Sequence, residues 1–258
     1  MSIEAAAGQG GWHWPAGHDL ILLDETDSTM AEARRRGPLA RPTWIAARRQ
    51  TAAVGRRGRT WAAPEGNLSA TLVMDPGCGP AQAALYSFVA SYALYATLTA
   101  YVLNRDAVTL KWPNDVLLKG GKLAGILLEA DGAGGPVARL AIGIGVNLNT
   151  APTHVALEPG APRPATLAEV TGEPVDPLEF LAFLAEHLAH QGAFFRAHGF
   201  GPLRAAWLER AARRGRTITA RTSNEQIAGT FVTVDEDGQL VLETSDGPRA
   251  IAAADVFF

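Results

Sequence analysis

Lys111-Trp112-Pro113-Asn114-Asp115-Val116, followed closely by Lys122-Leu123-Ala124-Gly125-Ile126-Leu127-Leu128-Glu129, is the stretch around which the rest of the chain is organised. It holds all three lysines of the protein, Lys111, Lys119 and Lys122, while every other fixed positive charge is an arginine. A lysine ammonium is compact and mobile and can follow charge as it moves during a reaction, whereas a guanidinium is a rigid planar fork. The clustering therefore points to a site. Val108 to Lys111 and Val116 to Leu118 read as short strands, Gly120-Gly121 as a turn, and Leu123 to Glu129 as a longer strand. Trp112-Pro113-Asn114-Asp115 then falls at a strand end. A carboxylate and an amide there suit a divalent metal or the polarisation of an amine. They equally suit a turn whose side chains bond their own backbone.

Upstream, His18 to Asp24 reads as a strand, and Asp27-Ser28-Thr29 offers an N-cap for a helix from Met30 to Arg36. Trp44 to Ala47 and Asn67 to Met74 are further strands, and Ala81 to Leu103 is a long apolar helix. Gln50 to Thr60 is a glycine-punctuated loop. Downstream, Val137 to Val146 pairs as a hairpin with Leu123 to Glu129. A proline-rich loop (Ala151 to Pro164) precedes helices at Thr166 to Thr171, Pro177 to His198 and Pro202 to Arg213. After Gly215 the period shortens to alternating runs (Thr217 to Arg221, Gln226 to Val234, Gln239 to Thr244, Arg249 to Ala252), split by Asp237-Gly238 and Asp246-Gly247, as in a small β-barrel or meander. The expected class is α+β, with a mixed, mostly antiparallel sheet. The expected division is an arm over residues 1–17, a main domain over 18–213 and a small β domain over 214–258.

Composition narrows the function. A net charge of −3 gives no electrostatic case for general nucleic-acid or membrane binding. The lone cysteine, Cys78, excludes an internal disulfide and a thiolate metal cluster, as suits the cytoplasm, and no histidine lies near it to make it a nucleophile. No signal peptide or membrane span is expected. The histidines lack metal-ligand spacing. The stretch from Arg48 to Arg59 is read as a loop with five arginines among small residues, suited to phosphate or carboxylate or simply to solvent. No Gly-Lys-Ser/Thr follows, so this is not a P-loop. Gly143-Ile144-Gly145-Val146-Asn147 lets a flat ring approach a strand or marks a bend with a capping Asn.

Together, Asp27-Ser28-Thr29, Gln50 with Gly55-Arg56-Arg57-Gly58-Arg59-Thr60-Trp61, Lys111-Trp112-Pro113-Asn114-Asp115, Gly120-Gly121-Lys122-Leu123-Ala124-Gly125-Ile126-Leu127 and Gly143-Ile144-Gly145-Val146-Asn147 closely resemble, in order and spacing, the biotin protein ligase family. The resemblance covers about residues 19–150 and implies a catalytic domain like that of class II aminoacyl-tRNA synthetases, followed by an SH3-like C-terminal domain. It implies ATP and Mg²⁺ as cofactors and biotin as substrate. The implied partner is a biotin carboxyl carrier protein domain of acetyl-CoA carboxylase or a related carboxylase; the chain would be monomer or homodimer.

By the same resemblance, Ser28, Thr29 and Gln50 would bond the ureido ring, and Arg56 would close over biotin and adenylate. Lys122 would contact the biotin carboxylate and α-phosphate, and Asp115 would lie near the metal and the incoming amine. Asn147 would meet the nucleotide, with Trp61 and Lys111 at the border of the pocket. Met30, Val54, Gly55, Asn114, Gly125, Gly143 and Gly145 fall among the implied binding positions. One departure stands out: the family loop usually reads Gly-Arg-Gly-Arg-Arg-Gly-Arg, and its first two positions here are Ala53 and Val54, which removes a flexible residue and one charge. The rivals are a lipoate or octanoyl transferring enzyme of related fold and a non-catalytic biotinyl-adenylate binder. A DNA-binding repressor is not expected, because residues 1–17 are too few for a helix-turn-helix.

Overall fold

The computed structural model describes residues 13–62, 64–132, 135–152 and 158–258. The arm expected over residues 1–17 lies mostly outside that set.

Seven strands form the main sheet: β1 (Asp19–Thr26), β2 (Thr43–Gln50), β3 (Leu68–Met74), β4 (Val108–Lys111), β5 (Asp115–Leu118), β6 (Gly121–Asp131) and β7 (Arg139–Val146). Their order is β1-β2-β3-β7-β6-β5-β4, with β1 and β2 parallel and every other pair antiparallel. The class is thus α+β with a mostly antiparallel sheet. Strand alternation assigns the two faces. Trp44, Leu72 and Ile142 enter the main apolar core. Their neighbours Ile45, Val73 and Ala141 point the other way, onto helix α1 (Thr29–Arg36). That helix starts where Ser28 accepts a bond from the Met30 amide, and it buries Met30 and Ala33, one turn apart, against the sheet.

The opposite face is covered by α2 (Pro80–Ala84), α3 (Tyr86–Leu98), α4 (Ala168–Thr171), α5 (Pro177–His198) and α6 (Phe200–Glu209). Helix α3 is apolar nearly all round and is buried nearly all round. Two expected helices are shorter than their apolar patterns. The run from Ala81 to Leu103 divides at Leu85 and ends at Leu98, where Ala100 and Tyr101 tighten the last turn with i→i+3 bonds to Thr97 and Leu98. The helix expected to reach Arg213 stops at Glu209 because the chain peels off to cover the edge of β4. There the Leu110 amide donates to the Arg210 carbonyl and the Ala212 amide to the Leu110 carbonyl, both at 2.8 Å. Arg48, Arg49 and Gln50 belong to β2 rather than to a loop.

The C-terminal part is a five-stranded antiparallel sheet in the order β11-β10-β9-β8-β12. It comprises β8 (Thr217–Arg221), β9 (Gln226–Val234), β10 (Leu240–Thr244), β11 (Gly247–Ile251) and β12 (Asp255–Phe257). The last strand was not foreseen: three residues are too few to show a period. The apolar core continues into this sheet through Ile218, Phe231 and Val256. Trp112 ties the two parts together, its buried indole N–H donating to the Gly238 carbonyl at 2.9 Å. No helix among the described residues is long and apolar enough to cross a membrane.

Candidate functional site

Cross-strand register carries the site. Lys111 on β4 lies opposite Asp115 on β5, Asp115 opposite Gly125 on β6, Gly125 opposite Gly145 on β7, and Gly145 opposite Ser69 on β3. Directly opposed residues share a face, so five strands contribute to one row. A bulge between Val116 and Leu117 lets Lys122 join the same face. Above this row opens a cavity of about 300 Å³ on the α1 side of the sheet, and every position expected at the site lines it.

One end of the cavity is polar but uncharged. Buried Thr71 donates its hydroxyl proton to the Thr29 hydroxyl at 2.8 Å. Thr29 in turn donates its backbone N–H (2.7 Å) and its hydroxyl (3.2 Å) to the Gln50 side-chain oxygen. The chain of bonds occupies that oxygen and leaves the Gln50 NH₂ as the donor for a ligand. Ser28, expected to bond a ligand, caps α1 with a lone pair at 3.2 Å and keeps its own proton to donate.

The middle of the floor is flat because β7 offers hydrogen atoms where side chains would stand. A methyl group on Gly143 would lie 2.8 Å from the Met30 sulfur, and one on Gly145 only 2.5 Å from the Trp61 indole nitrogen. Met30 and Trp61 thus lie directly on the sheet backbone. Asn147, further along β7, is buried with its amide 3.4 Å from the Lys122 carbonyl.

The other end is charged. The Asp115 carboxylate lies 2.7 Å from the Lys122 ammonium and 3.6 Å from that of Lys111. Burial pushes the Lys111 ammonium below the ordinary lysine range, and Asp115 opposes the shift. Lys122 is one-third exposed and stands 5.5 Å from the centre of the Trp61 ring. Arg56 reaches in from the loop, its guanidinium bonding the Asn114 side-chain oxygen at 3.2 Å and the Ala254 carbonyl at 3.5 Å. Burial lowers its pKa too, but an arginine starts so high that it stays cationic. Two lysines thus flank one carboxylate, and Arg56 stands beside them on neutral partners, a cationic grouping suited to anionic substrates.

Asp115, expected near a magnesium ion, is the one carboxylate at this part of the sheet row, and a magnesium ion there would take its other ligands from nucleotide phosphates and water. Its charge is engaged here by two ammonium groups, and among the described residues no three carboxylate, histidine or cysteine groups gather into a metal site made by the protein alone. Lys119 is exposed at φ 50° in the β5–β6 turn, outside the site. Val54 is 39% exposed at the rim, paired in an isolated bridge with Thr60.

Four contributors were not foreseen. Thr71 sat unremarked inside an apolar strand. The backbone of residues 163–165 clasps Lys122, whose amide donates to the Arg163 carbonyl at 2.6 Å while its carbonyl accepts from the Ala165 amide at 2.9 Å. Glu158 and Asp255 complete the wall near the loop. Only the acidic character of the last two, against a nearby arginine-rich loop, was available as a signal.

Known proteins share this architecture. The Biotin/lipoate A/B protein ligase family matches residues 20–147, and the biotin protein ligase C terminal domain matches residues 215–258. The chain is 48% identical to the biotin--[acetyl-CoA-carboxylase] ligase of Paracoccus denitrificans, over 92% of this chain and 99% of that one. It is 30% identical to the bifunctional ligase/repressor BirA of Bacillus subtilis (strain 168), over 93% of this chain and 74% of that protein. It superposes on the biotin protein ligase of Aquifex aeolicus in complex with biotin and ATP with a TM-score of 0.77 and 26% identity, covering 92% of this chain and 97% of the other. A near-full-length relative at this identity, together with the shared fold, places the chain in the biotin protein ligase family.

Proposed function

We propose that this chain joins biotin to a lysine of a biotin carboxyl carrier protein in two steps at the cavity on the α1 face. The observation that carries this reading is the polarity of the cavity: a neutral hydrogen-bonding end at Thr29 and Gln50, a flat glycine floor, and a cationic end at Lys122, Lys111 and Arg56. Biotin has the same order of parts, a neutral ureido ring, an apolar chain and a carboxylate.

A carboxylate oxygen is a poor leaving group, so it must be activated before an amine can attack. In the first step the biotin carboxylate attacks the α-phosphorus of ATP, the bond to the bridging oxygen breaks, and pyrophosphate leaves. Two anions meet there, and Lys122 and Arg56 offset their repulsion and the charge that builds in the transition state. Asp115 holds Lys111 and Lys122 in place. A magnesium ion brought with the nucleotide would be held by its phosphate oxygens, with Asp115 the nearby carboxylate, and would supply further charge neutralisation. In the second step a lysine amine of the carrier attacks the acyl carbon, the bond to AMP breaks, and the nitrogen loses a proton. Arg56 and Trp61 shield the mixed anhydride from water until that amine arrives. Residues 18–213 form the catalytic part and residues 214–258 the C-terminal part, in contact through Trp112.

A lipoyl substrate is the weaker fit, because its dithiolane ring would leave the Gln50 and Thr29 groups without a polar partner. The direct test is exchange of labelled pyrophosphate into ATP, which reports the first step alone. Exchange that depends on biotin supports the reading; exchange that needs lipoate, or none at all, refutes it.

A further inference from the structure

The loop between β2 and Trp61 presents three arginines, and their partners differ in kind. Arg57 and Arg59 both donate to the same carboxylate oxygen of Asp255, at 2.8 and 2.6 Å. Asp255 begins β12, opposite Arg221 on β8, and its side chain is only 12% exposed. Glu158, from the proline-rich segment, lies 3.5 Å from Arg59 and also pairs with Arg221. Arg56, between Gly55 and Arg57, has no carboxylate within ion-pair distance among the described residues; its partners are the neutral oxygens of Asn114 and Ala254. Arg57 holds φ 55°, which a residue with a side chain keeps when tertiary contacts demand it. The loop closes on itself through Gly55 N–H to Arg59 O (2.7 Å) and Trp61 N–H to Ala53 O (2.9 Å).

The geometry points to Asp255, backed by Glu158, as the anchor that fastens this loop over the cavity by Arg57 and Arg59, so that Arg56 alone stays free for the anionic substrate. Asp255 is then a positioning residue. It belongs to the C-terminal sheet, which thereby controls how long the activated intermediate is retained. The anchor also answers the altered start of the loop: Ala53 and Val54 supply neither a flexible hinge nor a charge, and the acids supply an attachment from outside. The claim about retention rests on the adenylation reading above; the claim about anchoring does not.

Two measurements on the full chain separate these. The first is hydrogen–deuterium exchange of the ligand-free protein at the amides of Gly55, Arg59 and Trp61, comparing wild type with Asp255→Asn. Exchange there should quicken about tenfold, the effect of losing a partly buried double ion pair. Asp255→Glu should restore protection in part, and Arg249→Gln, which breaks an exposed pair with Glu225 in the same sheet, should leave the loop unchanged. Unchanged loop exchange in Asp255→Asn overturns the anchor, as does an equal rise throughout the C-terminal sheet, which would mark simple unfolding. The second is release of labelled biotinyl-adenylate, expected about tenfold faster in Asp255→Asn while binding of biotin alone holds within about twofold. High salt should bring wild type towards the variant, since the pairs are screened. Loop exchange that quickens without faster release overturns the positioning role and keeps the anchor. A wild type that forms no adenylate overturns the adenylation reading, and with it the retention claim, and leaves the exchange result to decide the anchor.

Discussion

Gly145→Ala is the substitution whose effect follows most directly from the geometry. Gly145 does not occupy a positive-φ conformation, so alanine fits its backbone without strain. The obstacle is Trp61. The new methyl would stand 2.5 Å from its indole nitrogen and 2.6 and 2.8 Å from two ring carbons. Ordinary contact lies near 3.5–4.0 Å, so the indole must retreat by about 1 Å. In a fixed core such overpacking costs about 1–3 kcal/mol. Trp61 is carried by a loop, so the strain is relieved by displacing the loop rather than the sheet. A loss of about 1–2 kcal/mol of loop closure weakens retention of the adenylate by roughly five- to thirty-fold and leaves the melting temperature nearly unchanged. Labelled adenylate release gives the rate, and a double-mutant cycle gives the cause: in a Trp61→Ala background the extra methyl should have almost no effect. A full penalty for Gly145→Ala without Trp61, or wild-type retention with it present, would refute the packing of Trp61 on the glycine floor.

Three further outcomes are expected. Lys122→Ala should lower the rate of adenylate formation by about a hundredfold or more without changing the melting temperature appreciably, as the loss of a group aimed at developing charge does; turnover near wild type would remove Lys122 from the first step. Thr71→Val takes the first donor from the Thr71–Thr29–Gln50 chain and should cost about 1 kcal/mol of stability and several-fold in biotin affinity; unchanged affinity by calorimetry would show that the chain does not order the ligand end. His18 supplies a pH test: burial, then the charge of Arg196, lowers its pKa below 6.5, with Asp19 opposing. The folded chain therefore binds fewer protons than the unfolded one below that value, and the stability present above it is lost as pH falls. The urea midpoint should drop less between about pH 7 and pH 5 in His18→Asn than in wild type, and equal drops would exclude His18 as a cause.

Much of the site was legible because its residues lie at strand ends and along strand faces, where spacing carries geometry. Lys111, Asp115, Gly125 and Gly145 are separated by turns, and antiparallel pairing folds them into one row. The bulge that brings Lys122 to that row left no mark in the sequence. Thr71 was hidden for a different reason: a hydroxyl inside an apolar run matters only once the facing residue, here Thr29, is known. Asp255 lies nearly 200 residues from the arginines it holds, and no local pattern relates residues at such a distance. The helices were overextended where apolar character outlasted helical bonding, because edge pairing with β4 and a tightened turn after Leu98 are tertiary outcomes. The lysines also changed meaning with the structure. Their clustering suggested a site in general, whereas the structure sets Lys111 and Lys122 on either side of the Asp115 carboxylate.

The most direct test of the central claim is transfer of label to protein. The chain is incubated with ATP, a biotin carboxyl carrier domain and a lipoyl carrier domain, with labelled biotin in one reaction and labelled lipoate in the other, and the domains are analysed by mass. The expected outcome is one biotinyl group in amide linkage to a lysine of the biotin carrier, dependent on ATP, and no labelling from lipoate. Labelling from lipoate alone, or no transfer from biotin with ATP present, would contradict it.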